Sequence, residues 1–379
     1  MRRKFKWLTP MIALLPCLVA VARAQSFDNQ ASFGFRTAPG ATLLPPAENP
    51  STLDKSEPNR AQEMDPQIKS IVDRLLRPDR SRILLGSFNR KIVLEHYAQN
   101  WLKESTPLGY SISKSLVALT VGQAACDGKL SLDQKGHALA PELAGTAWGN
   151  ATIRHILTMR SGSAVVDPVK SGWKTDALAW KHQQIYRGSM SINYYDMLRS
   201  EDEKKFQPGE SFQYSNLDTF ALTLIVQSAV GQNFVDYFQE KIWKNVQSAQ
   251  AGSWLQNTHG QTAGAMTFSA SPEDWVRLGH YVLDQHAQSG SCFGKFLQEA
   301  IQPLTRTYVP SRCYGYQIWN WCDTSNFMFV GYGGQYLIMN PAHQVVLYAH
   351  QASHAGDPDL VELYRKLLAS AFQLRHQPR

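Results

Sequence analysis

At 379 residues and 43% hydrophobic content, the chain can bury a large core as one large or two closely packed domains, and no repeat or low-complexity tract interrupts it. Its net charge of +7 does not signal a nucleic-acid binder. Arg2, Arg3, Lys4, Lys6 and Arg23 supply five of those charges, which leaves the rest of the chain at about +2, and no basic run interleaved with aromatics follows.

The chain starts with a basic stretch, Met1 to Lys6, and an apolar one, Trp7 to Val21, interrupted by Pro10 and Pro16. Ala22-Arg23-Ala24 then places small residues where a signal peptidase reads. This pattern predicts a cleavable signal peptide over 1–24, a cut before Gln25, and a periplasmic or secreted protein with no stable membrane span after cleavage. Leu15-Pro16 ahead of Cys17 is a poor lipobox. Residues 25–61 are rich in Pro, Ala, Asn and Ser without period and read as an extended lead-in to a domain over 62–372.

Within that domain, Met64, Ile68, Ile71, Val72, Leu75 and Leu76 recur at helical spacing and predict a helix over 62–76. Ile83–Leu85 and Ile92–His96 flank Asn89-Arg90 as a hairpin. Further helices are expected over Ser111–Cys126 (ended by Gly128), Thr152–Met159, Leu217–Val230 (stopped by Gly231) and Pro272–Leu283. Strand patterns return at Tyr314–Trp319, Phe327–Val330, Tyr336–Met339 and Val345–Ala349, before a closing helix near 358–372. Strands at both ends with helices between predict an α+β fold: an antiparallel sheet flanked by helices, with a mostly helical insertion over roughly 115–260 and a cleft at the junction.

Four cysteines follow the predicted cut, and an oxidising compartment permits disulfides among them. Cys126 lies in an apolar helix and reads as a buried free thiol. Cys313 and Cys322 sit at opposite ends of one expected strand, roughly 30 Å apart if extended, so they pair only across a bend. Pairing of either with Cys292 stays open. No CxxC or HExxH spacing occurs, and His350 and His354 follow a strand into a polar loop and read as surface histidines, so neither a metal nor another cofactor is expected.

Ser111-Ile112-Ser113-Lys114 is an S-x-x-K tetrapeptide at a helix start. Three residues are just under one turn, which puts both side chains on one face. A serine hydroxyl needs a nearby base to become a nucleophile, and a partly buried lysine can serve. A second match, Ser171 to Lys174, falls in a loop where nothing holds the lysine against the serine, and it reads as a decoy.

The turn Pro208-Gly209-Glu210 precedes Tyr214-Ser215-Asn216 and a helix, so the tyrosine and asparagine can project into a cleft, although a packed tyrosine and an asparagine cap would leave the same pattern. Gly331-Tyr332-Gly333-Gly334-Gln335 lies between two strands. Its glycines let backbone N–H groups approach a ligand and, with the Ser111 N–H, form an oxyanion hole; the alternative is a glycine bulge at a sheet edge. G-x-S-x-G is absent, which argues against an α/β-hydrolase triad. Trp173, in the loop from Ser161 to Arg187 expected to border the cleft, is the tryptophan expected at the substrate.

These elements, in this order, resemble the serine β-lactamase and penicillin-binding-protein superfamily, in particular class C β-lactamase-related serine hydrolases of the 6-aminohexanoate-dimer hydrolase and esterase branch. Tyr110 to Ser115 is similar to that family's active-site motif, Tyr214-Ser215-Asn216 to its Tyr-x-Asn motif, Thr152 to Gly162 to the segment between them, and Gly331 to Gln335 to its glycine-rich strand. The resemblance covers roughly residues 62–372. It implies an acyl-enzyme on Ser111, with Lys114 and Tyr214 handling protons, Asn216 beside them, and Tyr332 and Gly333 at the oxyanion. β-Lactamases of this family carry Lys-Thr-Gly on the third strand and many esterase relatives a His, yet Phe329 to Gly334 holds no cation. A small neutral ester or amide is therefore the expected substrate, aminohexanoate oligomers being one named possibility. A β-lactamase or D-alanyl-D-alanine carboxypeptidase, and a non-catalytic binding or sensor protein on the same fold, are the alternatives. Nothing in the sequence fixes the oligomeric state.

Overall fold

The computed structural model describes residues 38, 40–55, 66–75, 81–98, 101–164, 191–309, 311–322, 325–332, 334–351 and 361–367. Helix α1 (Pro66–Leu75) precedes the hairpin β3 (Ser81–Phe88) and β4 (Lys91–Tyr97), whose turn residues Asn89 and Arg90 both take positive φ, the geometry that matches a hairpin to strand twist. The late strands β9 (Phe327–Gly331), β10 (Gln335–Asn340) and β11 (Val345–Gln351) form a meander, and β11 pairs antiparallel with β3. The two ends of the domain thus meet in one sheet, as expected.

Alternation along the central strands explains the layering. Phe327, Phe329, Leu337, Met339, Val346 and Tyr348 enter the main core, while Met328, Ile338, Val345 and Leu347 enter a second core with α1 and the helix over 361–367. The main core is supplied largely by α2 (Ile112–Cys126), α5 (Asn216–Val230) and α6 (Pro272–Ala287). Helices α2 and α5 are buried on almost every side, which suits sequences with little amphipathic asymmetry. Between α2 and α5 lie α3 (Ile153–Leu157) and α4 (Tyr194–Ser200), and α7 (Cys292–Ala300) follows α6. The α+β architecture with its antiparallel sheet is the expected one; among the described residues the only parallel pair, β2 (Asp54–Lys55) on β4, lies at the sheet's edge.

Four expectations change. The lead-in is not merely extended: β1 (Ala41–Leu44) pairs with β5 (Gly252–Leu255), β2 joins the main sheet, and Leu44 is buried. Short strands without a clear period carry no sequence signal of this pairing. The expected strand Tyr314–Trp319 is instead a hairpin of β7 (Arg312–Tyr314) and β8 (Trp319–Trp321), turned at 315–318 and extended by the short edge strand β6 (Thr305–Arg306). That bend brings Cys313 and Cys322 together in a disulfide. Cys126 is not a free thiol but is bonded to Cys292, because the end of α2 meets the start of α7. His350 is not on the surface: β11 runs on to Gln351, and the imidazole is buried against Trp101, ring centroids 4.7 Å apart. His354 lies outside the described residues. Among the described residues, no group of His, Cys, Asp and Glu could hold a metal, and no helix is long and apolar enough to cross a membrane.

The Cys126–Cys292 bridge closes a sequence separation of 166 residues, against 9 for Cys313–Cys322. Cross-links stabilise more as the loop they close lengthens, so the Cys126→Ser/Cys292→Ser double variant is expected to lose about 3 kcal/mol or more in urea unfolding, and the Cys313→Ser/Cys322→Ser variant less. An equal or reversed order would show that the shorter loop carries more than chain entropy.

Candidate active site

Ser111 is the N-cap of α2, with φ −67° and ψ −4°, and its hydroxyl makes no capping bond. The hydroxyl faces Lys114 one turn along, whose Nζ donates to Ser111 Oγ at 2.8 Å. The turn that delivers it is tightly held. Gly109 N donates to Phe268 O at 2.8 Å, Tyr110 takes a φ of 47°, and Phe268 N donates to Ser113 Oγ at 3.1 Å. A non-glycine residue at positive φ persists only where its surroundings fix it, and here Tyr110 is buried.

Lys114 is only 1% exposed. Its Nζ also donates to Asn216 Oδ1 at 2.5 Å and to the Ala265 carbonyl at 3.0 Å. It lies 5.1 Å from the centroid of the Tyr214 ring. Three segments distant in sequence thus converge on one amino group. Gly264 makes the third possible: a Cβ there would sit 2.1 Å from Thr223 Oγ1 of α5, so only glycine lets the turn at Ala265 come this close.

Ser215, not Asn216, caps α5, accepting from Leu217 N, while the Asn216 side chain meets Lys114 and Tyr214 stays in extended chain ahead of the helix. That extended segment rests on the Thr152–Gly162 stretch, through Gln213 N to Met159 O at 2.8 Å and Gly209 N to Arg160 O at 2.8 Å. The Tyr214 ring then packs edge-on to Tyr314 at 6.1 Å and tilted to Trp319 at 5.4 Å.

The glycine-rich corner closes the site from the sheet. A Cβ at Gly331 would lie 2.4 Å from the Gly109 carbonyl, so the end of β9 sits directly on the turn that carries Ser111. β9 is paired on both sides, and its register with β10 is unbroken, which removes the reading of an edge bulge. Tyr332 is half-buried, its ring 6.4 Å from that of Tyr110. Gly333 and Trp173 lie outside the described residues, as does the Ser171–Lys174 match.

Neither Ala265 nor Gln317 stands out in the sequence. The latter is buried with φ 55° and ties three helices together. Ser115 Oγ donates to its carbonyl at 2.6 Å, Thr219 Oγ1 to its Oε1 at 2.7 Å, and its own N–H to Leu157 O at 2.9 Å. Asp218 was likewise missed. Its Oδ1 accepts from Trp148 Nε1 and Ser161 Oγ, both at 2.8 Å, while Oδ2 is buried without a partner. Burial pushes its carboxyl up to about 7, against the lowering effect of those two bonds.

With this geometry established, the chain can be placed. Residues 89–371 match the β-lactamase family, and the chain belongs to that family. Solved structures agree in fold at low identity. A Bacillus anthracis protein described as a 6-aminohexanoate-dimer hydrolase superposes with a TM-score of 0.70 at 17% identity, covering 89% of this chain and 92% of its own. The hydrolase EstCE1 gives a TM-score of 0.62 at 14% identity over 82% and 99%. A Bacillus halodurans penicillin-binding protein gives 0.61 at 19% over 79% and 99%. The chain is thus a β-lactamase-fold hydrolase.

Asp218 yields a signed prediction. Its folded value lies above the 3.8 of the free carboxyl, so its neutral form favours the fold below pH 4 and that contribution is lost as pH rises through about 7. Asp218→Asn keeps the shape without the charge. Relative to wild type, its stability in urea unfolding is expected to gain by a few kcal/mol between pH 4 and 8. A pH-independent difference would mean that the carboxyl titrates normally.

Proposed function

We propose that this chain is an exported serine hydrolase that cleaves a small neutral ester or amide through an acyl-enzyme on Ser111. The observation that carries it is the 2.8 Å contact between Lys114 Nζ and Ser111 Oγ, inside a site where Lys114 is held by Asn216 and Ala265 and lies against Tyr214. In its neutral amine form Lys114, coupled to Tyr214, takes the Ser111 proton as Oγ attacks the carbonyl. Tyr214 returns a proton to the leaving group, and an activated water then releases the acyl product. Among the described residues the Ser111 N–H makes no backbone hydrogen bond, which supports its use at the oxyanion with the N–H of Tyr332 as second donor.

Substrate class is argued from what the corner omits. Phe329 to Gly334 carries no Lys, Arg or His, so a substrate carboxylate would have no cation there. That favours a neutral ester or amide over a β-lactam or a D-alanyl peptide. Linear amides of the aminohexanoate type gain support from the fold shared with the Bacillus anthracis protein. Export rests on the basic-then-apolar segment before Gln25, and two disulfides suit an oxidising compartment.

Intact-mass labelling of the mature protein with a fluorophosphonate tests the nucleophile. One adduct is expected on wild type and none on Ser111→Ala, whose kcat on p-nitrophenyl esters falls at least about a thousandfold. Tyr214→Phe is expected to lower kcat by about a hundredfold. Nitrocefin turnover matching that of the esters would overturn the neutral-substrate reading. Absence of labelling in wild type would favour a binding or sensor protein.

A further inference from the structure

Beyond Tyr214 the rings continue outward. Trp319 lies 5.4 Å from Tyr214, Phe212 lies 6.3 Å from Trp319, and Tyr308 lies 5.9 Å from Phe212. Buried Tyr314 backs the row, edge-on to Phe212 at 5.3 Å and to Trp319 at 4.9 Å. The row ends at solvent. Tyr308 is 41% exposed, Val309 36% and Leu304 37%, three of the five large hydrophobic side chains most exposed among the described residues, all within six positions. Single exposed apolar residues are ordinary, but a contiguous strip running into a reactive centre marks a ligand groove.

We infer that this row of rings, Trp319, Phe212 and Tyr308, is a leaving-group subsite that takes an aromatic or flat apolar alcohol or amine. The inference rests on the acyl-enzyme reading above. If Tyr214 hands the proton to the departing atom, that atom sits at the Tyr214 hydroxyl, and whatever it carries extends along the rings beyond. In the step concerned, the bond from Ser111 Oγ to the acyl carbon forms and the bond from that carbon to the leaving oxygen or nitrogen breaks. The serine proton ends on the leaving atom by way of Lys114 and Tyr214. Water then splits the acyl-serine and restores the hydroxyl.

Acetate esters isolate the subsite, because their acyl group and deacylation are common. Benzyl acetate is expected to exceed ethyl acetate in kcat/KM by about tenfold or more, and the ratio to fall about fivefold in Tyr308→Ser and in Phe212→Leu. Parity in wild type, or a preference that both variants retain, would overturn the subsite. A second readout needs no turnover: benzyl alcohol titrated into Ser111→Ala is expected to give a saturable change in tryptophan fluorescence that is absent from Ser111→Ala/Trp319→Phe. That signal in a protein that hydrolyses no ester leaves the apolar subsite standing and removes the acyl-enzyme reading. Turnover with no saturable signal removes the subsite alone.

Discussion

The site depends on one lysine taken out of water. Burying an amino group costs free energy unless its hydrogen-bonding capacity is met inside the protein. Lys114 meets that requirement with three oxygens from three places: its own helix, the start of α5 and the turn at Ala265. None of the three segments can shift without stranding the amino group. Two helices and the turn at Ala265 are therefore held together around Nζ, and the tight fits at Gly109, Gly264 and Gly331 are the steric counterpart of that polar demand.

A second shell of constraint surrounds the first. Gln317 holds α2, α5 and the end of α3 with backbone and side chain together, and it sits in the turn between β7 and β8. The same hairpin presents Tyr314 and Trp319 to Tyr214. One short element therefore fixes the helices that position Lys114 and also sets the wall against which Tyr214 rests, while the Cys313–Cys322 disulfide closes its strands together.

Much of this was readable from the chain alone because it rests on local rules. S-x-x-K puts its two side chains on one helical face whatever the fold. Alternation marked β9, β10 and β11, and Gly231 ended α5 as expected. What escaped was non-local. Ala265 acts through a carbonyl, which every residue owns, so composition carries no trace of it. Asp218 lies in an apolar helix, where its partners Trp148 and Ser161 come from far upstream. The β7–β8 hairpin was read as one strand because its turn, Gly315 to Ile318, keeps strand-like residues, and only the packing bends it. Cys126 was misread for a related reason: an apolar helix predicts burial, not which neighbour will be a cysteine.

The contact between Gly331 and the Gly109 carbonyl bears on how this chain could evolve. A cationic side chain at that corner is the simplest way to recognise a carboxylated substrate, yet at position 331 even a methyl group would collide with the turn that carries Ser111. The route to such a substrate by one substitution at this glycine is sterically closed. Gaining it there would require the turn and the strand to change together, through intermediates that disturb the seat of Ser111, so at this position the backbone itself keeps the corner free of charge.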